Sequence, residues 1–359
     1  MKKITFFFLL ISALAACKPS ANTPPNQEKA SGPAPDSVAQ QILNLTDQIK
    51  KDPTNYGLYH DRALLWYESD SLDRAVQDVD MALSLYKNSP ELHHLRGFFA
   101  MAENDTALAE TEYLAAAGLG SRDPETYYQL GQVFFFRKNY PEAEKWYGSA
   151  IKINDQDPQY PFAIGLVREV TAKYPAAIRQ YETALKLDSA FAKAYDRLYD
   201  LYQNRLNQPE KAAKWLETWL AFAPGHPMAR FYEGEKFRNE ALQVPEKNET
   251  AFKEALNKAV ASYSIAINVD PNFAQALFYR AECFALAENY ESAIQDYSKI
   301  PAAHPFFAAA QFQLGAIAEY FQDYSGALKH YRSAAAANPD SKDAQRAVKE
   351  MEARLQAGN

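Results

Sequence analysis

Residues 124–157 read PETYYQLGQVFFFRKNYPEAEKWYGSAIKINDQD, and the sequence on both sides repeats this pattern at intervals of 34 residues. Five columns of small, aromatic or proline residues share the interval: Gly97, Gly131 and Gly165; Ala109, Ala143 and Ala177; Tyr113, Tyr147 and Tyr181; Ala116, Ala150 and Ala184; Pro90, Pro124 and Pro158. Independent columns with one period indicate tandem structural repeats, each of which buries its apolar face against its neighbours.

A 34-residue unit with small residues at positions 8, 20 and 27 and an aromatic residue at 24 resembles the tetratricopeptide repeat, a helix-turn-helix unit. The resemblance implies an all-α fold, a right-handed superhelical solenoid of antiparallel helix pairs. Small residues let paired helices approach closely, and the aromatic residue fills the seam against the next repeat. Counting from Tyr56 gives eight repeats: 56–89, 90–123, 124–157, 158–191, 192–226, 227–273, 274–307 and 308–341.

Several segments depart from the repeat. Residues 37–55 and 342–359 each carry an apolar helical stripe, and we expect them to form capping helices over the terminal repeats. Repeat 6 contains an insertion with the helix breaker Pro245, which predicts an extended hairpin. Tyr199 occupies position 8 of repeat 5, where a small residue is usual, so the helices of that repeat are expected to separate or shift.

The N-terminus has the features of an export signal: two lysines, an apolar run and then small residues. Its end, Leu14-Ala15-Ala16-Cys17, resembles the bacterial lipobox, which implies a lipoprotein signal peptide at 1–16 and lipidation of Cys17. The alternative is an ordinary signal peptide with a chance cysteine. Residues 17–36 are rich in Pro, Ser and Ala and predict a flexible tether. Lys18 is not the aspartate that resembles an inner-membrane retention signal in enterobacterial lipoproteins, so an outer-membrane destination is favoured. We expect a lipid-anchored protein of the cell envelope that faces the periplasm.

Composition and motifs exclude several functions. The net charge of −7 argues against nucleic acid, which requires clustered Lys and Arg. Segments outside the repeats are too short for an independent domain, and the chain lacks nucleophile-elbow, HExxH and paired-cysteine patterns. We therefore predict no enzyme, no cofactor and no metal. His60 and His94 both occupy position 5, but stacked helices hold such side chains too far apart to share one ion comfortably.

In the tetratricopeptide family, the first helix of each repeat lines the concave surface through positions 2, 5, 9, 12 and 13. By this resemblance, Phe134 at position 11 packs between helices, while the predicted partner-binding groove contains Phe98, Met101, Tyr128, Gln132, Phe135, Phe136, Phe162, Leu166, Phe231, Phe278 and Phe312. Repeat 5 adds a set of predicted polar contacts: Lys193, Asp196, Asp200, Gln203 and Asn204.

The resemblance implies a scaffold or adaptor that binds a peptide or a partner protein of the cell envelope in this aromatic groove. One subgroup of the family binds C-terminal carboxylates through Lys and Asn, but His60 and Leu64 stand at those positions and do not support such a clamp. Three alternatives remain open. The aromatic residues could pack against one another, the groove could stack sugar rings of the cell wall, as Phe162 and Glu169 weakly indicate, or the protein could be a pilotin or assembly factor for an outer-membrane complex.

Overall fold

The computed structural model describes residues 37–245 and 248–357, which contain α-helices, one π-helical turn and no β-strand. This confirms the predicted all-α fold. The predicted signal peptide, Cys17 and the tether lie outside the described residues. Within the described ranges, no helix combines the length and the apolar character that a bilayer span requires. Contacts divide the described chain between Ala212 and Ala213 into two compact units.

The first unit begins with α1 (Val38–Lys51), which packs on the first of four consecutive helix pairs. The pairs are α2 (Tyr56–Glu68) with α3 (Leu72–Leu85), α4 (Pro90–Ala102) with α5 (Thr106–Gly118), α6 (Pro124–Phe136) with α7 (Tyr140–Ile153), and α8 (Gln159–Val170) with α9 (Tyr174–Leu187). The helix α10 (Ala192–Asp200) follows and continues directly into a π-helical turn, Leu201–Arg205. Tyr199, the large residue at position 8, lies immediately before this irregular turn.

The division between the units falls inside α11 (Pro209–Phe222). The second unit then contains α12 (Pro227–Gln243) with α13 (Glu249–Val269), α14 (Ala274–Leu286) with α15 (Tyr290–Ser298), α16 (Phe307–Tyr320) with α17 (Tyr324–Ala337), and the terminal α18 (Lys342–Ala357). The insertion in repeat 6 lengthens both α12 and α13, and Pro245 lies between them.

The turn between the paired helices has one conformation in six of the repeats. Its residue at position 15 is left-handed, with φ between 55° and 63°, and the next N–H donates back to the carbonyl five residues earlier, as from Lys173 to Arg168 at 2.7 Å. This pattern is a Schellman motif, which ends the first helix and reverses the chain within two residues. The six left-handed residues are Asp70, Asn104, Lys138, Ala172, Glu288 and Gln322.

The packing inside each pair follows from the small residues of the repeat. The alanines that occupy positions 20 and 27 are almost fully buried, and in five repeats the tyrosine ring at position 24 lies on the glycine at position 8. The same ring also reaches the next repeat, because Tyr113 shares a core cluster with Leu130 and Val133. The predicted roles of both columns in the core are therefore observed.

Candidate functional site

The position-5 side chains pack on the tyrosine at position 24 of their own repeat. In six repeats the two ring centroids are 5.2–5.9 Å apart: His94 with Tyr113, Tyr128 with Tyr147, Phe162 with Tyr181, Phe231 with Tyr263, Phe278 with Tyr297, and Phe312 with Tyr331. Each predicted groove aromatic at position 5 therefore has one face covered from inside the repeat. Whether its other face is open depends on the residues that follow.

In three repeats, a phenylalanine at the end of the repeat covers this other side. Phe191 packs on Phe162 at a centroid distance of 5.2 Å, and Phe273 packs on Phe231 at the same distance. Phe306 lies 5.0 Å from Phe278. Phe231 and Phe278 are consequently only 7% exposed. These two residues, predicted as part of an open groove, belong to the core, because the chain itself supplies the ring that a partner was expected to supply.

Repeats 1, 2 and 3 end instead in the polar residues Ser89, Asp123 and Asp157. The first-helix surface of these repeats contains a cavity of about 490 Å³. It is lined by His60, Leu64, Glu91, His94, Leu95, Phe98, Ser121, Arg122, Asp123, Glu125, Thr126 and Gln129. We call this cavity the repeat 1–3 pocket. Of the predicted groove residues, Phe98 is the one that lines it.

One wall of the pocket is apolar. Leu64 is 44% exposed although it lies on a first helix beside the buried Ala63, and Leu95 and Phe98 continue the wall from α4. The ring of Phe98 makes an edge contact with the ring of Tyr67, with 5.0 Å between the centroids. An exposed leucine beside a fixed aromatic ring gives the pocket a rigid surface on which an apolar side chain can pack.

The floor of the pocket is a small polar network. His94 Nδ1 lies 3.0 Å from Thr126 Oγ1, which lies 3.0 Å from Ser121 Oγ, and this hydroxyl accepts the backbone N–H of Asp123 at 3.2 Å. Burial lowers the pKa of His94, so the imidazole is neutral at pH 7. The network fixes the loop before α6, which carries three of the lining residues.

This network does not have the geometry of a catalytic triad. The hydroxyl in contact with the histidine belongs to Thr126, which is fully buried and cannot reach a substrate, and His94 Nε2 is 4.0 Å from the Asp123 carboxylate. Among the described residues, no group of three His, Cys, Asp or Glu side chains could hold a metal ion.

The mouth of the pocket is acidic. Asp123 Oδ1 accepts the N–H of Glu125 at 2.9 Å as the N-cap of α6, while Gln129 Nε2 donates to Glu125 Oε1 at 2.6 Å. The pKa of Glu125 is raised, first by burial and then by the charges of Asp123 and Asp157. Among the described residues, no Lys or Arg forms an ion pair with Asp123, Glu125 or Asp157.

The remaining predicted groove residues lie outside this pocket. Phe134 packs into two core clusters, as predicted, and Phe135 is half-buried against Tyr140 at a centroid distance of 5.8 Å. Phe136 is 64% exposed. Met101, Tyr128, Gln132, Phe162, Leu166 and Phe312 are half-buried.

The predicted polar contacts of repeat 5 are largely engaged within the chain. Asp200 accepts hydrogen bonds from Arg197 at 3.3 Å and from Asn204 at 2.7 Å. Lys193 and Asn204 are exposed, and Asp196 and Gln203 are half-buried. Glu169, the carboxylate considered for sugar binding beside Phe162, pairs with Arg197 and accepts the Tyr181 hydroxyl at 2.6 Å. The proposed sugar-stacking pair therefore has no free ring face beside a free carboxylate.

The second unit contains a half-buried cluster of charges on its first helices. Arg238 Nη1 lies 3.1 Å from Glu282 Oε2, and its guanidinium lies 4.6 Å from the centre of the Tyr279 ring. Burial raises the pKa of both Glu235 and Glu282 to about 7, an effect that Arg238 partly offsets. The nearby Tyr263 hydroxyl is buried without a hydrogen-bond partner.

Comparison with known proteins agrees with this architecture. The tetratricopeptide repeat family matches residues 100–161 and 254–308. A monomeric mutant of IFIT1, solved with m7Gppp-AAAA, is 13% identical with a TM-score of 0.50, covering 90% of this chain and 88% of that chain. YrrB, described as a TPR protein with an unusual peptide-binding site, is 21% identical with a TM-score of 0.45, covering 52% of this chain and 96% of that chain.

MamA from Desulfovibrio magneticus RS-1 is 19% identical with a TM-score of 0.43, covering 46% of this chain and 93% of that chain. No curated protein sequence matches the chain significantly. The chain thus has the all-α fold of the tetratricopeptide repeat, as the 34-residue period predicts. That fold is a scaffold for protein–protein interaction.

The predicted groove omits most of the lining of the pocket, including Leu64, Thr126 and the acidic residues of the mouth. The predicted groove residues are mainly aromatic side chains at positions 2, 5, 9, 12 and 13 of the first helices, whereas most of the pocket lining is polar or aliphatic. A signal in the sequence is the last residue of repeat 2, Asp123, which lines the pocket, whereas repeats 4 and 6 end in Phe191 and Phe273, which cover the position-5 ring.

Proposed function

We propose that this protein is a lipid-anchored adaptor of the cell envelope that binds a segment of a partner protein in the repeat 1–3 pocket. The observation that carries the proposal is that this pocket remains open where equivalent parts of other repeats are filled by the chain's own phenylalanines. Its volume of about 490 Å³ falls within the usual range of ligand pockets. A first-helix surface with an apolar wall and polar floor suits an extended or helical peptide.

The anchoring part of the proposal rests on the N-terminal sequence. A lipid at Cys17 followed by a tether to residue 36 would hold the folded units at a membrane, and the outer membrane is favoured because Lys18 is not the retention aspartate. Replacing Cys17 with Ser should move the protein from the membrane to the soluble fraction after cell lysis and centrifugation. Retention of the variant in the membrane would contradict lipid anchoring at this cysteine.

The binding part is tested by photo-crosslinking in the native cell envelope from position 64. The control is position 153, because Leu64 and Ile153 have nearly equal exposure, 44% and 43%, and Ile153 is not part of the pocket lining. The expected result is one partner crosslinked from position 64, identified by mass spectrometry, and not from position 153. Equal capture from both positions, or none from position 64, would contradict the pocket as the binding site.

A further inference from the structure

We further infer, resting on the proposed function, that the bound segment carries a lysine or arginine next to an aromatic or large aliphatic residue. The apolar side chain packs over His94 and against the wall formed by Leu64 and Phe98. The positive charge lies at the mouth, where Asp123 and Glu125 face it.

The apolar half of this inference comes from the chain's own covering residues. Phe191, Phe273 and Phe306 each place a ring 5.0–5.2 Å from the position-5 ring of their repeat. These three contacts show that a flat apolar side chain can pack on the position-5 ring while that ring also packs on the tyrosine at position 24. In repeat 2, His94 packs on Tyr113 in the same way, at 5.5 Å, and Asp123 stands at the end of the repeat.

The charged half comes from carboxylates that the chain does not neutralise. Asp123, the N-cap of α6, uses one carboxylate oxygen to accept the N–H of Glu125, and Asp157 uses one to accept the N–H of Gln159 in the turn before α8. The other oxygen of each carboxylate and Glu125 Oε2 have no hydrogen bond or Lys or Arg partner within the part of the chain that the structure describes. Asp123 and Glu125 both line the mouth, and their mutual repulsion is relieved when a cation binds there.

The pocket therefore has the opposite sign to a carboxylate-binding clamp. Its lining has three acidic residues, Glu91, Asp123 and Glu125, and one permanently charged basic residue, the exposed Arg122. A C-terminal carboxylate would meet this negative field and would have to displace water from it without a matching donor. A lysine or arginine side chain can bury its aliphatic stem against Leu64 while its charged end stays at the acidic mouth.

The probe for this inference is a library of random heptapeptides displayed on phage and selected on the full chain in detergent. We expect selected peptides to contain Lys or Arg beside Phe, Tyr, Trp or Leu. The best synthetic peptide, labelled with fluorescein, should bind about tenfold more weakly by anisotropy to the neutralised variant Asp123→Asn with Glu125→Gln, because charge-assisted contacts are lost. Asparagine retains the N-cap, so the variant is expected to fold normally.

The matched control neutralises Asp270 and Glu254 as Asp270→Asn with Glu254→Gln. Both are exposed in the second unit, and Asp270 also accepts a local backbone N–H, from Asn272 at 3.1 Å, as Asp123 does from Glu125. This variant should bind the peptide as the wild type does. If the control variant bound the peptide as weakly as the neutralised variant does, the loss of affinity would come from the net charge of the protein, and the inference would be wrong.

A second variant, Asp123→Phe, places a phenylalanine where other repeats have one and should fill the pocket. Suppose that the selected peptides lack basic residues, bind the neutralised variant as well as the wild type, and fail to bind Asp123→Phe. That result would overturn the cationic inference and leave the proposed pocket intact. Peptides that bind all variants equally, or no selected peptide at all, would contradict the proposed function itself. Circular dichroism checks that each variant keeps its helix content.

Discussion

Gly131 lies against the ring of Tyr147 so closely that a β-carbon on the glycine would stand 2.5 Å from Cδ1 and Cε1 of the tyrosine. The glycine is on α6 and the tyrosine on α7, so this contact sets how closely the two helices of the repeat approach. Tyr147 is 1% exposed and cannot move outward without leaving its cluster with Ile164 and Val167.

Gly131→Val is therefore expected to destabilise the first unit, by roughly 1–3 kcal/mol, because overpacking displaces a buried ring and valine adds two more methyl groups. Urea unfolding followed by circular dichroism measures the loss. Gly148→Ala is the control, since Gly148 lies on α7 and a β-carbon there would have no neighbouring atom within 4 Å; alanine should stabilise the helix by up to about 1 kcal/mol. Equal effects of both substitutions would contradict close packing at Gly131.

Ala172→Gly is expected to stabilise the protein by roughly 0.5–1 kcal/mol. Ala172 is exposed and holds the left-handed turn between α8 and α9 with φ of 57°, a conformation that costs alanine more than glycine. Thermal unfolding should show a higher midpoint for the glycine variant. Ala172→Val should lower the midpoint, because a β-branched side chain tolerates this conformation poorly. A lower midpoint for the glycine variant would mean that the entropy of its unfolded state dominates.

Two predicted groove phenylalanines should respond oppositely to truncation. Phe278→Ala is expected to cost about 3–5 kcal/mol, because the ring is 7% exposed and packs between Tyr297 and Phe306. Phe136→Ser should change stability by less than about 0.5 kcal/mol, because its ring is 64% exposed. Chemical denaturation of both variants distinguishes core from surface. A large loss with Phe136→Ser would show that its ring contributes to the core.

The fold could be predicted because it depends on residues that recur at a fixed interval. The same packing roles recur one repeat away for Gly131, Ala143, Tyr147 and Ala150. Each repeated position therefore indicates the same contact several times in the sequence. The left-handed turn could not be predicted in this way. Its position-15 residues differ chemically, from Asn104 to Ala172, since the turn depends on backbone hydrogen bonds rather than on one side chain.

The site was less predictable because it arises where the repeats differ. Position 5 alone identifies Phe162 and Phe278 as groove residues, but their exposure depends on Phe191 and Phe306, which follow almost 30 residues later in the sequence. The pocket appears where Asp123 replaces such a phenylalanine. Contacts between a helix and the end of its own repeat have no periodic signature when the contacting residue changes from one repeat to the next.

The charged cluster of the second unit predicts a pH dependence of stability. The pKa of Glu235 is raised by burial from its ordinary 4.5 to about 7, and no hydrogen bond to its carboxylate is found among the described residues. Its surroundings are Arg238 on its own helix, Tyr263 on α13, and Tyr279 and Glu282 on α14. The folded state therefore holds the proton more tightly than the unfolded state does.

Because the pKa of Glu235 is higher in the folded state than in the unfolded state, the protonated carboxyl contributes to stability. This contribution is fully present below about pH 4.5 and is lost as the pH rises to about 7. Glu235→Gln imitates the protonated carboxyl, so it should leave stability unchanged at pH 4.5 and increase it at pH 7.5 by about 1–3 kcal/mol. Hydrogen exchange of peptides from α12 and α14 measures this locally, with the exposed Glu254→Gln as control. Equal protection of wild type and Glu235→Gln at pH 7.5 would show that Arg238 already neutralises the carboxylate.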